Sequence, residues 1–173
     1  VGAGKTVAQV KTGSKPHGVA IAPDGTAVYV SNEGDGTVSF IDPVENKVVA
    51  TVEVGKSPNQ LAVSADGKYL FVTLNGADSL AVVDTSARKL AKTVPVGKNP
   101  HIALLSPDGN TVYVTLEGEP KIVKVDAHRF EVTGEISVFA FPRVLTVTPA
   151  GRFYLTIRWL AGVLVIDPAA GKV

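Results

Sequence analysis

Four polar residues recur at one place in the sequence, each directly after a proline and at intervals of 42 residues: His17, Asn59, His101 and Arg143. Neutral imidazole ligates metal ions, and a guanidinium donates a fork of hydrogen bonds to carboxylates and phosphates. If the fold brings these positions together, they suit an anion, a small polar ligand or, through His17 and His101, a metal ion. The alternative is that histidine at this place only hydrogen-bonds the backbone.

A second set of polar and aromatic residues ends or follows the apolar segments VYVSN, LFVTL and VYVTL and their counterpart in the fourth repeat. Amide, carboxylate, guanidinium and indole groups are all represented: Asn32, Glu33, Asn75, Glu117, Glu119, Arg158 and Trp159. We expect loops at one rim, where Arg158 and Trp159 form a cation–aromatic pair able to anchor a partner. The alternative role of Trp159 is to fill the gap left by a residue missing from the fourth repeat.

Aspartates recur at nearly the same spacing, but they suit a structural role. Each follows an apolar run and precedes a stretch rich in turn residues: Asp42, Asp84, Asp126 and Asp167. An aspartate in that position satisfies backbone N–H groups of a turn. No Gly-x-Ser-x-Gly segment or comparable frame marks a serine nucleophile. The sequence therefore offers no catalytic residue.

The composition excludes several functional classes. The chain has 173 residues, 45% of them hydrophobic and 19% charged, which is enough for one domain with a substantial core. Its net charge is +1 and its 17 lysines and arginines are scattered, which argues against a nucleic-acid partner. No apolar run reaches the ~18 residues of a membrane helix, so no transmembrane segment is predicted.

The chain contains neither cysteine nor methionine. Without cysteine it has no disulfide or thiolate metal site, a state compatible with either side of a membrane. Without methionine, Val1 is not expected to be a translation start, so the chain is processed or is a piece of something longer. Removal of a secretory leader would explain this, and we expect an extracytoplasmic location: periplasmic, secreted or at the cell surface.

The polar sets are carried by a repeat of about 42 residues, visible in KPHGVAIAPDGTAVYVSN, SPNQLAVSADGKYLFVTL and NPHIALLSPDGNTVYVTL. Within one repeat, short runs rich in Val, Ile and aromatic residues alternate with Gly, Pro, Asp and Asn, a pattern typical of strands, and Asp-Gly indicates a hairpin. Four strands per repeat predict an all-β fold, a β-propeller of four-stranded antiparallel blades in a single domain spanning 1–173. The predicted blades span 14–55, 56–97, 98–139 and 140–173. An N-terminal strand at 5–12 is predicted to complete the last blade.

The segments VYVSN, LFVTL and VYVTL stand where YVTN-repeat propellers carry the tetrapeptide that names them, and the prolines, Asp-Gly pairs and aspartates follow the same frame. Over essentially the whole chain the sequence resembles that family, which implies a propeller but no particular activity. The fourth repeat, FPRVLTVTPAGRFYLTIRW, departs from the frame because it lacks the Asp-Gly pair and one loop residue. NPHIALLSPDG around His101 is also similar to the haem-binding propellers of nitrite reductases, in which a histidine at this place ligates iron. That resemblance implies a metal or haem cofactor, where the residues alone favour none.

Ring size and function both have alternatives. Four blades can close alone; two chains can form an eight-bladed homodimer in which each N-terminal strand completes the other's last blade; or the chain is a fragment of a longer propeller. We favour self-association. The favoured function is a non-enzymatic binding or scaffold propeller that uses its channel mouth and rim loops for a protein partner or a small polar or anionic ligand. The alternatives are a metal- or haem-binding propeller with redox or lyase activity at His17 and His101, and an engineered or isolated half-propeller without activity of its own.

Overall fold

The computed structural model describes residues 4–157 and 159–167, and nearly all regular structure in these residues is strand. The predicted all-β class is therefore confirmed. A 3-10 helix, Asn75–Ala77, lies between the sixth and seventh strands. No helix among the described residues is long and apolar enough to span a membrane. The strands are, in chain order: β1 (Pro16–Ile21), β2 (Val28–Asn32), β3 (Thr37–Asp42), β4 (Lys47–Glu53), β5 (Pro58–Val63), β6 (Tyr69–Leu74), β7 (Ser79–Asp84), β8 (Lys89–Pro95), β9 (Pro100–Leu105), β10 (Thr111–Leu116), β11 (Lys121–Asp126), β12 (Val132–Ser137), β13 (Pro142–Val147), β14 (Phe153–Ile157) and β15 (Val163–Ile166).

The strands form four antiparallel sheets of consecutive strands, β1–β4, β5–β8, β9–β12 and β13–β15. Short turns join the first two strands of each sheet. The glycines of the three Asp-Gly pairs lie in these turns at a φ of 74°, a conformation that glycine adopts without steric cost: Gly25, Gly67 and Gly109. Sheets of this kind are propeller blades. We number them blade 1 to blade 4 in chain order.

Apolar side chains pack between neighbouring blades in three interfaces, which we call seam 1/2, seam 2/3 and seam 3/4. In seam 1/2, Val38 and Phe40 of blade 1 belong to the same buried cluster as Leu70 and Val72 of blade 2. The other two seams hold equivalent clusters. Because successive side chains of a strand point to opposite faces, one sheet supplies the core on both of its sides. The inner strands β1, β5, β9 and β13 pack on one another in that order.

The outer faces of blades 1 and 4 are not covered by another blade among the described residues. Val19 on β1 is 66% exposed, whereas its repeat counterparts Leu61 and Ala103 are 8% and 6% exposed. At the other end, Tyr154 and Val165 are 39% and 50% exposed. The described residues therefore form an open series of blades with an apolar face at each end.

The N-terminal strand is where the structure departs from the sequence-based fold. Residues 4–12 form no strand, and the sheet of blade 4 has three strands within the described part of the chain. The strand predicted at 5–12 therefore does not complete the last blade within one chain. The reason is geometric, since the strands of blade 4 within the described residues pack on those of blade 3, at the opposite end of the series from blade 1. The chain enters blade 1 instead, where the Gly13 amide donates to the Asn32 side chain (3.1 Å).

Candidate functional site

Strand direction places the two predicted polar sets on one face of the structure. The first strand of each blade begins where its second strand ends, as the pairs Pro16–Asn32 and Pro100–Leu116 show. The residues after the prolines therefore lie beside the loops that follow the second strands. We call this face the mouth. The turns that join the first strand to the second, and the third to the fourth, lie on the opposite face.

In blades 2 to 4, a hydroxyl group of the preceding blade holds the mouth residue through its backbone, and we call this arrangement the hydroxyl clip. The Thr73 hydroxyl accepts from the Gln60 amide of its own blade (3.1 Å) and donates to the His101 carbonyl of the next blade (2.9 Å). The clip recurs at Ser31 with Gly18 and Asn59, and at Thr115 with Ile102 and Arg143. These hydroxyls occupy the fourth place of VYVSN, LFVTL and VYVTL. Sequence reasoning missed their role, although a hydroxyl at that place in every repeat was the available signal.

Three of the predicted site residues meet at the mouth between blades 3 and 4, and we call them the mouth cluster. Glu117 Oε1 lies 3.3 Å from Arg143 Nε and 4.0 Å from His101 Nε2. His101 Nδ1 lies 3.3 Å from the carbonyl oxygen of Arg143. The side chains of His101 and Glu117 are 12% and 23% exposed, whereas that of Arg143 is 54% exposed. The guanidinium is therefore the part of the cluster most open to solvent.

The surroundings of His101 keep its imidazole neutral near pH 7. Burial lowers the pKa of His101 below its ordinary value of 6.5, and the positive charges of Arg143 and His17 act in the same direction, against the Glu117 carboxylate and the hydrogen bond to the Arg143 carbonyl. The contribution of His17 also places the two histidines within electrostatic reach of each other. A neutral His101 that donates from Nδ1 to the carbonyl presents an unprotonated Nε2 to the mouth.

Asn59 is the mouth residue of blade 2. Its Oδ1 atom is shielded from solvent and accepts no hydrogen bond from a described residue. A buried amide oxygen in that state costs free energy, so a donor reaching it would be stabilising. In the loop of the same blade, Asn75 donates from Nδ2 to the Pro100 carbonyl (3.3 Å) and so links blade 2 to blade 3. Glu33 is half-buried and lines an open groove of about 550 Å³ at the mouth end of blade 1.

Two other residues of the rim set serve the fold. Asn32 is fully buried, and its side-chain nitrogen donates to the hydroxyls of Thr37 (3.0 Å) and Ser39 (2.9 Å). Its hydrogen bonds are thus used inside blade 1, because the side chain points into the sheet rather than along the loop. Glu119 pairs with Lys121 at 3.1 Å and accepts from a backbone amide. Both residues hold backbone in place and leave ligand contacts to their neighbours.

Arg158 lies outside the described residues, and Trp159 is 90% exposed. A side chain so exposed does not fill an interior gap. The residue missing from the fourth repeat is absent from the turn between β13 and β14. There the Thr148 amide donates to the Arg152 carbonyl, and the corresponding hydrogen bond in blade 3 encloses one residue more.

The mouth offers isolated ligand atoms for a metal ion rather than a complete set. Within residues 4–157 and 159–167, no group of three or more His, Asp or Glu side chains is close enough to hold a metal ion. His17 is exposed, and the Nε2 atom of His101 faces the Glu117 carboxylate. A haem would find one candidate axial ligand, His101. The residues present suit a hydrogen-bonding ligand better than a metal centre.

Three of the four recurring aspartates, Asp42, Asp84 and Asp126, lie on the opposite face and hold turns, as the sequence predicts. Asp42 Oδ1 accepts from the amides of Val44 (2.8 Å) and Glu45 (3.0 Å). Asp84 and Asp126 make equivalent bonds. These backbone donors lower the pKa of all three carboxyl groups. Their role as turn residues is confirmed.

The fold and the repeat agree with a comparison of the sequence with known families. The family model described as YNCE-like beta-propeller matches residues 3–129, which is most of the chain. The chain belongs to the YNCE-like β-propeller family. A search of curated proteins finds no match.

Solved structures similar to this YNCE-like propeller come from larger proteins. Hydrazine synthase of Kuenenia stuttgartiensis is 29% identical, with a TM-score of 0.86 over 98% of this chain and 51% of that chain. Dihydro-heme d1 dehydrogenase NirN in complex with DHE is 23% identical, with a TM-score of 0.78 over 91% of this chain and 36% of that chain. A functionally unknown protein from Desulfotomaculum acetoxidans DSM 771 is 15% identical, with a TM-score of 0.73 over 88% of this chain and 55% of that chain. The last two show the fold alone, and the present chain spans about half or less of each.

Proposed function

We propose that this YNCE-like propeller, with repeats of the YVTN type, is a non-enzymatic binding module that holds a small polar ligand with an anionic group at its mouth. The observation that carries the proposal is the mouth cluster, in which His101 and Arg143 converge from strands of two blades and Glu117 from one loop. Hydroxyl clips hold the backbone of His101 and Arg143, and a backbone hydrogen bond to the Asn99 carbonyl holds that of Glu117, so the fold does not need these side chains. Polar groups that the fold does not require, gathered at one place, support a role in binding.

The chemistry of the cluster favours a ligand that carries both an acceptor and a donor. Arg143 is half-exposed, and a guanidinium suits the paired oxygens of a carboxylate or phosphate. Glu117 contacts its Nε atom, which leaves the terminal nitrogens for the ligand. The unprotonated Nε2 of His101 suits a hydroxyl donor. A small hydroxycarboxylate combines the two groups.

Calorimetric titration of the purified chain with malate, and separately with inorganic phosphate, tests this proposal. We expect malate to bind and Arg143→Gln to weaken binding by about tenfold or more, because a charge-assisted pair of hydrogen bonds is lost. Arg152→Gln removes the same charge from a turn on the opposite face and should leave the affinity unchanged. The proposal fails if neither anion binds, or if both substitutions weaken binding equally.

Redox or lyase chemistry at His17 and His101 has weaker support. Two of the similar structures are enzymes by their names, but only the hydrazine synthase exceeds a quarter identity, and this chain matches half of it. A cofactor there would give the purified protein a visible absorption band or stoichiometric metal that His101→Ala removes. A colourless, metal-free protein that binds malate would favour the binding module.

We also propose that a second copy of the chain covers the open faces of blades 1 and 4 and so completes eight blades. Thr156 accepts from the Val144 amide (3.1 Å), as the clip hydroxyls of the earlier blades do from theirs. A following blade would supply the carbonyl that completes its clip. His17 is the mouth residue of blade 1, before which the described chain has no blade. In a two-fold arrangement, Thr156 of each copy meets the partner's His17 carbonyl.

Light scattering on the purified chain distinguishes this assembly from a monomer. We expect the mass of two chains, and we expect Val19→Asp to give a monomer, since a buried unpaired charge is costly. Val44→Asp is the matched control because Val44 is exposed in a turn on the opposite face. A monomeric wild-type chain would contradict self-association and would indicate that further blades of a longer polypeptide cover these faces.

An extracytoplasmic location also remains a proposal. It is supported by the resemblance to YVTN-repeat propellers. Fractionation of cells that express the native gene would test it, and recovery of the protein with cytoplasmic markers alone would contradict it.

A further inference from the structure

Seam 1/2 and seam 2/3 differ on the face opposite the mouth. In seam 2/3, the ring of Phe130 packs edge-on against Tyr69 (centroids 4.8 Å apart) and Phe71 (6.2 Å). The residue one repeat earlier than Phe130 is Arg88, and the backbone is the same at both, with φ values of 57° and 51°. The side chain that fills one seam with an aromatic ring is therefore a guanidinium in the other.

The exchange leaves a cavity in seam 1/2. Its lining includes Ala27 and Tyr29, the counterparts of Tyr69 and Phe71, together with Arg88. The rings of Phe130 and Tyr69 thus have no counterpart here, whereas Phe40 adds one ring at the position of Val82 in blade 2. The cavity measures about 340 Å³, against about 160 Å³ for the corresponding one in seam 2/3.

Tyr29 lines this cavity, and its hydroxyl makes no hydrogen bond to another described residue. The residue is 3% exposed, and its ring is fixed by edge-on packing against Phe40 (centroids 5.0 Å apart). Burial raises the pKa of Tyr29, Asp24 raises it further and Arg88 lowers it, which places both charged groups near the hydroxyl. A ligand that bonds to this hydroxyl would therefore displace no hydrogen bond within the protein.

The charges around the cavity favour a cation. Asp24, Asp42 and Asp66 all line it, against the guanidinium of Arg88. One oxygen of each carboxylate is used in its own turn, and the second oxygen of Asp66 faces Lys68 at 3.3 Å, on the exposed side. Carboxylates therefore outnumber the cations that line the cavity. Amidinium and ammonium groups carry the N–H donors that such oxygens accept.

We propose that seam 1/2 holds a second binding site, separate from the mouth, for a small aromatic cation. Its ring occupies the space that Phe130 and Tyr69 fill in seam 2/3. Its N–H groups donate to the carboxylates of Asp24 and its neighbours and to the Tyr29 hydroxyl oxygen.

Benzamidine is a suitable probe because it combines a planar ring with an amidinium. Two-dimensional amide NMR of the whole chain, titrated with benzamidine, should show saturable shifts in residues 24–29, 66–67 and 85–88. Tyr29→Phe keeps the ring and removes the hydroxyl, and it should raise the Kd by about two- to tenfold. Arg88→Phe places a ring in the cavity at a backbone conformation that Phe130 already tolerates, and it should abolish the shifts.

Tyr113→Phe is the matched control, because Tyr113 holds the same repeat position in blade 3. It should leave the Kd unchanged. Benzoate, the probe of opposite charge, should bind at least about tenfold more weakly. Circular dichroism melts establish that each variant is folded. The proposal is overturned if wild-type protein shows no saturable shifts, if the shifts map to the mouth, if Tyr29→Phe binds as Tyr113→Phe does, or if benzoate binds equally well.

Discussion

Seam 1/2 and seam 2/3 are built on the same backbone and filled differently. Near the mouth both contain a hydroxyl clip and a cluster of buried valine and leucine side chains. On the opposite face, one is closed by Phe130 and the other is left open beside Arg88. The stacking of two blades therefore depends on the clip and the apolar strands. The side chains that fill a seam on the face opposite the mouth can therefore differ from one pair of blades to the next.

The largest effect is expected from opening the closed seam. Phe130→Ala removes a ring that packs on Tyr69 and Phe71, and it should lower the free energy of unfolding by about 2–4 kcal/mol. Urea unfolding followed by circular dichroism measures the change. Arg88→Ala is the matched substitution in seam 1/2 and should cost less than about 0.5 kcal/mol. Equal losses would show that the two seams do not differ in the way described.

Removing a clip should have the next largest effect. Thr115→Val leaves the Ile102 amide and the Arg143 carbonyl without their hydroxyl partner, at a cost of about 1–2 kcal/mol. The same unfolding assay applies. Thr93→Val, at an exposed position of β8, is the control and should be nearly neutral. If Thr115→Val were neutral as well, the clips would not be what holds the blades together.

Closing the open seam should have a smaller effect of the opposite sign. Arg88→Phe fills part of the 340 Å³ cavity and should raise the free energy of unfolding by about 0.5–1 kcal/mol. Thermal melting of the variant beside the wild type measures it. A destabilised Arg88→Phe protein would mean that Phe130 depends on Tyr69 as a partner, which Ala27 cannot replace.

The smallest effect is the pH dependence that arises at the mouth. Because burial lowers the pKa of His101, the folded chain takes up a proton less readily than the unfolded chain. The contribution of His101 to stability is therefore complete above pH 6.5 and declines as the pH falls below it. Glu117→Gln removes a charge that raises this pKa and should lower it further, as an NMR titration of the His101 ring would show. Glu135→Gln, on β12, should leave it unchanged, and an upward shift in Glu117→Gln would contradict the geometry of the mouth cluster.

The sequence predicts the repeat and the strands well, because both follow from local patterns. Asp-Gly pairs mark hairpins that the structure contains, and Asp42 holds its turn as expected. The strand predicted at 5–12 is not formed in the described residues, because its pairing depends on a blade beside it that no local pattern supplies. The alternation of apolar and polar side chains along a strand shows which face of the sheet must be buried, but it does not show which element buries it.

The residues of the candidate site were predicted from the sequence, but as two separate sets. His101 and Arg143 were placed in one set and Glu117 in another, although strand direction brings the three together. Asn32 was predicted to belong to the rim loops, but its side chain points into blade 1 and donates to the Thr37 hydroxyl. The sequence contains one signal of the cavity in seam 1/2, because Arg88 holds the repeat position that Phe130 holds one repeat later. Reading it as a cavity required the knowledge that both positions face a neighbouring blade.

The hydroxyl clips have a consequence for how such proteins acquire new specificities. The clips bond to the backbone carbonyl oxygens of Asn59, His101 and Arg143. The side chains at these positions can therefore be exchanged during evolution without loss of the contacts between blades. A library randomised at these three places should consist mostly of well-folded members. The mouth would then offer a set of variable side chains on an unchanged backbone scaffold.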